Sequence, residues 1–256
     1  MAGIELTADG PVAVLTVDNP PLNLLTTAMR RRLARLAGDL GRRNDIRVVV
    51  LTGTGDRAFS AGSDVHEFPH DPDTGMRRAR IEQDAYQRLQ RLPQPVIAAL
   101  RGHVLGGGLE LALACDLRVA DETARLGLPE IRLGIFPAGG GSQRLPRLIG
   151  APRAKELMLL GEPIDAHEAQ RLGLVNRVVP PGEALGAALD LARAIAEQPG
   201  LAVRAIKRAV DGGLEEGPER GEELEREQIS RLYGSHDARE GVAAFLERRP
   251  PRFEHR

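Results

Sequence analysis

The sequence predicts an α/β fold followed by a helical C-terminal region. Three observations lead there. Short apolar runs alternate with helical periodicities as far as about residue 180. One of those runs, Val48 to Thr52, is near-continuously apolar, the pattern of a strand buried on both faces. Beyond Pro180-Pro181-Gly182 only amphipathic helical patterns remain.

The elements follow in order. Ile4 to Thr7 and Val12 to Val17 alternate apolar and polar residues around Asp9-Gly10-Pro11, which reads as a hairpin. Thr26 or Thr27 caps a helix whose Met29, Leu33, Leu36 and Leu40 recur every three or four residues. Gly53-Thr54-Gly55-Asp56 ends the Val48 strand, and the polar, Pro- and Asp-rich segment Pro69 to Gly75 is expected to be a mobile loop. A helix from about Met76 to Leu92 then precedes a strand from Val96 to Leu100. Leu109 to Cys115 is helical and apolar but for Glu110, and Leu117 to Ala120 and Ala124 to Leu126 are short strands. The tail contributes helices at Ala184 to Glu197, Leu201 to Asp211, Glu219 to Leu232 and Ala238 to Leu246. Two regions are expected, a core over 1–190 and a helical region over 191–256.

Composition narrows the function classes. The 256 residues carry 35 basic and 36 acidic side chains, a net charge of −1, so no global field draws the chain to nucleic acid or an anionic membrane. Trp is absent and aromatics make up 3%, which disfavours a stacking platform for single strands. No apolar run reaches the roughly 18 residues of a membrane span. Lys155 and Lys207 are the only lysines, leaving few candidates for Schiff-base chemistry. A lone Cys115 forms no internal disulfide, and MAGIELTADG lacks an export pattern, so a cytoplasmic location is expected.

Several familiar motifs fail. Neither lysine completes a phosphate loop, and both glycine clusters miss GxGxxG, the last position falling on Leu111 or Arg144. His167-Glu168 opens like HExxH, but Arg171 stands where the second His is needed. Asp71 and Asp73 begin like a calcium loop, yet Gly75 comes early and Glu82 stands outside a proper ligand frame. No serine lies in GxSxG. No metal or redox cofactor is implied.

Three segments remain. Arg57 to Val65 (RAFSAGSDV) leaves a buried strand through small residues, which lets a ligand approach the main chain. Gly102 to Glu110 (GHVLGGGLE) is a strand exit that runs through three glycines into a helix. Three consecutive glycines there cost entropy and helix propensity, and the free amides at the positive end of the helix suit developing negative charge on oxygen. Glu110 in the first turn serves the helix dipole or, given its apolar neighbours, a buried acid–base role with a raised pKa. In the third segment, Gly127 to Gly134, Glu130 is a cap, a partner of Arg132 or a catalyst. The second glycine turn at Gly139 to Gly141 makes it a site-wall candidate. Two glutamates beside an amide pocket point to proton transfer next to a stabilised oxyanion, chemistry α or β to a carbonyl.

These segments, together with PPLNLLTTAM, LPEIRLGIFPAGGGSQRLPRLIG, LMLLGEPIDAHEAQRLGLVNRVVP and SHDAREGVAAFLERRPPRF, resemble the enoyl-CoA hydratase/isomerase (crotonase) family nearly end to end. The resemblance implies a crotonase-like spiral of repeated ββα units and a C-terminal helical region that makes trimers, often paired into hexamers. It implies an oxyanion hole at the backbone N–H groups of Ser63 and Gly107. It gives Glu110 a part in activating water for attack at C3, and Glu130 the C2 proton and a hold on the water. Two carboxyls in one site are expected to titrate as a coupled pair. Arg57, Ala61, Asp64, Val65 and Phe253 are the implied coenzyme A contacts, the last from this or a neighbouring subunit. Ser63 stands where alanine is common, and Ala138 replaces a frequent glycine beside the water position. His66 and His103 flank these segments and stay outside the mechanism. The expected reaction is hydration of a trans-2-enoyl-CoA. The alternatives are a Δ3-Δ2 enoyl-CoA isomerase, another acyl-CoA lyase or hydrolase of this fold, and a non-catalytic acyl-CoA- or RNA-binding homologue.

Overall fold

In the computed structural model, which describes residues 3–255, β1 (Gly3–Asp9) and β2 (Val12–Asp18) pair antiparallel with Leu6 opposite Leu15. The expected helix follows as α1 (Thr27–Leu40): Thr26 Oγ1 accepts a hydrogen bond from the Met29 N–H at 3.2 Å, and Met29, Leu33, Leu36 and Leu40 face inward.

A repeated unit then builds two layers. A long strand, β3 (Val48–Gly53), is followed by a short one, β4 (Ala58–Ser60), and by helix α2 (Pro72–Gln90). The same order recurs in β5 (Val96–Leu100), β6 (His103–Leu105) and α3 (Gly107–Leu113). It recurs again in β7 (Leu117–Asp121), β8 (Arg125–Gly127), a 3-10 turn (Pro129–Leu133) and α4 (Gly141–Ile149). The chain continues through α5 (Ala151–Leu160), β9 (Ile164–Asp165), α6 (Ala166–Arg171) and β10 (Arg177–Val179). Long strands form a sheet ordered β1-β2-β3-β5-β7-β10, parallel from β2 onward. Short strands form a second, ordered β4-β6-β8-β9, in which β4, β6 and β8 run parallel. This second sheet positions the site, because the loops leaving the carboxyl ends of three parallel neighbours emerge side by side.

All six residues of β3 are buried. Val49 and Leu51 face the main core with Leu15, Val96 and Phe59, while Val48 and Val50 face α7 (Ala184–Ala196). The alanines of α7 at 184, 188, 192 and 196 let it lie close on the sheet, and it runs across residue 190.

The expected loop at Pro69 to Gly75 is corrected: its second half is the first turn of α2. Asp71 caps that helix, its Oδ1 accepting from the Thr74 N–H at 2.9 Å, and Pro72 supplies a preset φ at the first position. The tail is helical, with α8 (Gly200–Glu216), α9 (Pro218–Tyr233) and α10 (His236–Glu247). α8 leaves Ile206, Val210 and Leu214 exposed at four-residue intervals. No helix among the described residues is long and apolar enough to cross a membrane.

Candidate active site

Ser63, Gly107 and Glu130 follow β4, β6 and β8. These strands pair Ser60 with Val104 and Leu105 with Gly127, so the three loops arrive at one place. The glycine run is explained by what it touches. Gly106 has φ +52°, and a Cβ there would stand 3.1 Å from Glu130 Oε1. A Cβ on Gly107 would stand 2.9 Å from Ser63 Oγ, and one on Gly108 would collide with the Ser60 carbonyl at 2.3 Å. Helix α3 therefore begins in direct contact with the β4 loop.

That contact places two amides together. The position a Gly62 Cβ would take is 3.6 Å from the Gly107 nitrogen, with Ser63 next in the chain. Among the described residues neither the Ser63 nor the Gly107 N–H donates to a backbone carbonyl, whereas the flanking Gly62 and Leu25 carbonyls are engaged. Two unspent donors beside a helix N-terminus form a pocket suited to an oxyanion.

Glu110 projects from the first turn of α3 and is 2% exposed. Its Oε1 accepts from the Gly141 N–H at 2.8 Å. The second glycine turn makes room for it: a Cβ on Gly139 would stand 2.7 Å from its Oε2, and one on Gly141 2.9 Å from its Oε1. Burial, then the negative charge of Glu82 and that of Glu130, push the Glu110 carboxyl up to about 8 against the Gly141 hydrogen bond. Glu130 sits on the 3-10 turn with its buried Oε2 lacking a hydrogen-bond partner, and burial lifts it to about 7. Glu110 and Glu130 are thus two carboxyls poised near neutrality around one amide pocket.

The profile of the family described as "Enoyl-CoA hydratase/isomerase" matches residues 7–256. The chain belongs to the enoyl-CoA hydratase/isomerase family. It is 44% identical to YngF of Bacillus subtilis strain 168, over 93% of this chain and 92% of that one. It is 36% identical to the short-chain-enoyl-CoA hydratase of Clostridium acetobutylicum, over 96% and 95% of the two chains. The crystal structure of an enoyl-CoA hydratase from Bacillus anthracis superposes with a TM-score of 0.93 at 38% identity, covering 99% of both chains. The crotonase fold expected from the sequence is therefore the fold of this chain.

Against that family frame, the remaining site residues separate into two places. Ala61 and Asp64 are half-buried and their N–H groups are spent on the Leu22 and Leu25 carbonyls. Asp64 Oδ1 accepts from the His66 N–H at 3.0 Å, and Val65 is exposed. Arg57 is an exposed residue of the turn before β4. Phe253 lies elsewhere in the chain, its ring 3.6 Å from where a Gly241 Cβ on α10 would be.

Sequence reasoning missed three side chains beneath the amide pocket. Arg30 on α1 is 1% exposed, and Glu82 on α2 is 4% exposed. The two pair at 2.6 Å, and Tyr86 reaches Glu82 with its hydroxyl. A signal was present, because Glu82, Tyr86 and Leu89 recur at the spacing of one helix face whose other members are buried.

Proposed function

We propose that the protein is an enoyl-CoA hydratase that adds water reversibly, from one face, to a trans-2-enoyl-CoA to give the 3-hydroxyacyl-CoA. The observation that carries this reading is the convergence of Glu110 and Glu130, both lifted toward neutrality, on the unspent amides of Ser63 and Gly107.

In this mechanism the thioester oxygen accepts hydrogen bonds from those two amides. Polarising the carbonyl withdraws electrons from the conjugated double bond and makes C3 electrophilic. Glu110 takes a proton from water as its oxygen bonds to C3, and the electron pair of the double bond moves onto the thioester oxygen as an enolate. The amides stabilise that charge, a contribution of roughly 10²–10³ in rate per donor in other acyl-transfer sites. Glu130 then delivers a proton to C2, and the carbonyl reforms. The two carboxyls titrate as a coupled pair that shares one proton near neutrality; the proton rests mostly on Glu110, and the form that adds water is the one in which it has moved to Glu130, leaving Glu110 ionised as the base. An isomerase needs one carboxylate to carry a proton between carbons, so the presence of two favours hydration. Coenzyme A enters as part of the substrate, with Arg57, Ala61, Asp64, Val65 and Phe253 as its proposed contacts, and no metal or redox group takes part.

A homotrimer, alone or paired into a hexamer, is the proposed assembly, formed through the helical region over 191–256; the exposed stripe Ile206, Val210 and Leu214 supports it. The free, buried Cys115 agrees with a cytoplasmic location.

The test is to add purified protein to crotonyl-CoA and follow loss of the conjugated thioester absorbance, with product identity from mass spectrometry. Formation of 3-hydroxybutyryl-CoA is the expected result. An inert protein that instead shifts the double bond of a 3-enoyl-CoA would replace hydratase with isomerase.

A further inference from the structure

The Arg30–Glu82 pair lies in a place where fold stability gives little reason for it. Desolvating two such charges costs about what their attraction returns, and apolar residues of equal volume often serve a core as well or better. Its connections suggest another purpose. Arg30 donates from Nη2 to Glu82 Oε1 and to Ser63 Oγ, both at 2.6 Å, and from Nη1 to the Leu25 carbonyl at 2.7 Å. Leu25 is bridged in parallel to Ser63 and accepts from the Asp64 N–H. On the other side, the Tyr86 hydroxyl lies within donating distance of the Gly107 carbonyl at 2.9 Å and of Glu82 Oε1 at 3.1 Å. The cluster therefore grips both loops that bear the unspent amides, one through Ser63 and Leu25, the other through Gly107. The fit is tight, since a Cβ on Gly107 would stand 3.0 Å from Glu82 Oε1 and 3.2 Å from Arg30 Nη2.

We propose that Arg30, Glu82 and Tyr86 are positioning residues that hold the Ser63 and Gly107 amides in register for one oxygen, with Glu82 as the central member that both Arg30 and Tyr86 contact. This deepens the hydratase reading and rests on it. Glu82 also shapes the acid–base pair, because its Cγ and Glu110 Oε2 both pack against Gly139. The charged or titratable groups facing Glu110 are Glu82 and Tyr86 from α2, Glu130 from the 3-10 turn and Arg144 from α4. Arg30 and Arg78 face Glu82.

The experiment uses the full-length protein with three variants: Tyr86→Phe, Glu82→Gln, and the double change Arg30→Leu with Glu82→Leu. The double variant removes both members of the buried pair at once, so neither is left without the other, and the charge that remains beside them, Arg78, is only partly buried. In folded double variant the expected kcat for crotonyl-CoA falls about 10- to 100-fold while KM moves less than about threefold, the signature of misplaced transition-state donors. Tyr86→Phe lowers kcat in the same direction with less effect. In Glu82→Gln the whole pH–rate bell moves to lower pH, because one negative charge no longer opposes ionisation of Glu110 and Glu130. A scaffold role would leave the bell in place. Wild-type kcat and an unmoved bell in folded variants overturn the proposal, as does a rise in KM alone.

A second readout separates this inference from the hydratase reading. Acetoacetyl-CoA forms an absorbing enolate, and the amide pair would stabilise that enolate in the absence of any turnover. If wild type fails to hydrate crotonyl-CoA, the hydratase reading fails. A weaker enolate band in all three variants than in wild type would still support the positioning role of Arg30, Glu82 and Tyr86, and equal bands would refute it.

Discussion

Replacing Glu110 with Gln should make the protein more stable while disabling it. A carboxyl in the unfolded chain titrates near ~4.3, and the folded site lifts Glu110 to about 8. Below the lower value both states hold the proton and the residue costs nothing. As pH rises above it, the unfolded chain ionises while the folded protein keeps its proton, so folding loses stability until the pH passes the folded value. At roughly 1.4 kcal/mol per pH unit over about 2.7 units, from ~4.3 to pH 7, the loss at neutral pH is on the order of 4 kcal/mol. Gln carries no such penalty and keeps an acceptor for the Gly141 N–H. Urea unfolding of wild type and Glu110→Gln, run at about pH 5 and about pH 8, measures this linkage. The variant should gain several kcal/mol over wild type at the higher pH and little at the lower. Its hydratase rate should fall about 10²- to 10⁴-fold. A stability difference that does not change with pH, or a variant less stable at the higher pH, would refute the assignment of a buried, protonated Glu110.

Four further outcomes are expected. The kcat/KM profile for crotonyl-CoA should be bell-shaped around neutrality, because burial raises both carboxyls of the coupled pair into that range; a flat profile from about pH 6 to about pH 9 would contradict it. Glu130→Gln should leave circular dichroism unchanged and abolish turnover. Gly108→Ala drives a Cβ to 2.3 Å from the Ser60 carbonyl and should cost roughly 1–3 kcal/mol, read as a lowered Tm. Thr26→Ala removes the cap on α1 and should cost about 1 kcal/mol in chemical unfolding with activity retained.

Much of the architecture was legible because burial and periodicity agree locally. The alternation of β2, the unbroken apolar run of β3 and the Thr26 cap each specify their element without help from distant residues. The Pro69–Gly75 segment reads as a loop by composition yet starts a helix, because Asp71 and Pro72 are helix-start residues as well as loop residues. At the site, the triple glycine signalled a close approach, but its partner at Ser60 is set by the pairing of β4 with β6, a tertiary fact. Glu110 was readable because its neighbours are apolar. Glu82 is signalled only by its place on the helix face of Tyr86 and Leu89, and Arg30 not at all, since it sits on a helix rich in charged residues where only its partner separates a buried charge from a solvated one.

The central claim is that Glu110, Glu130 and the two amides add water across a conjugated thioester. Reaction of crotonyl-CoA in ¹⁸O-labelled water, with wild type, Glu110→Gln and Glu130→Gln side by side, tests it most directly. Wild type should yield 3-hydroxybutyryl-CoA carrying the heavy oxygen at C3, and both variants should yield almost none. Product without label, or label retained in both variants, would contradict the account.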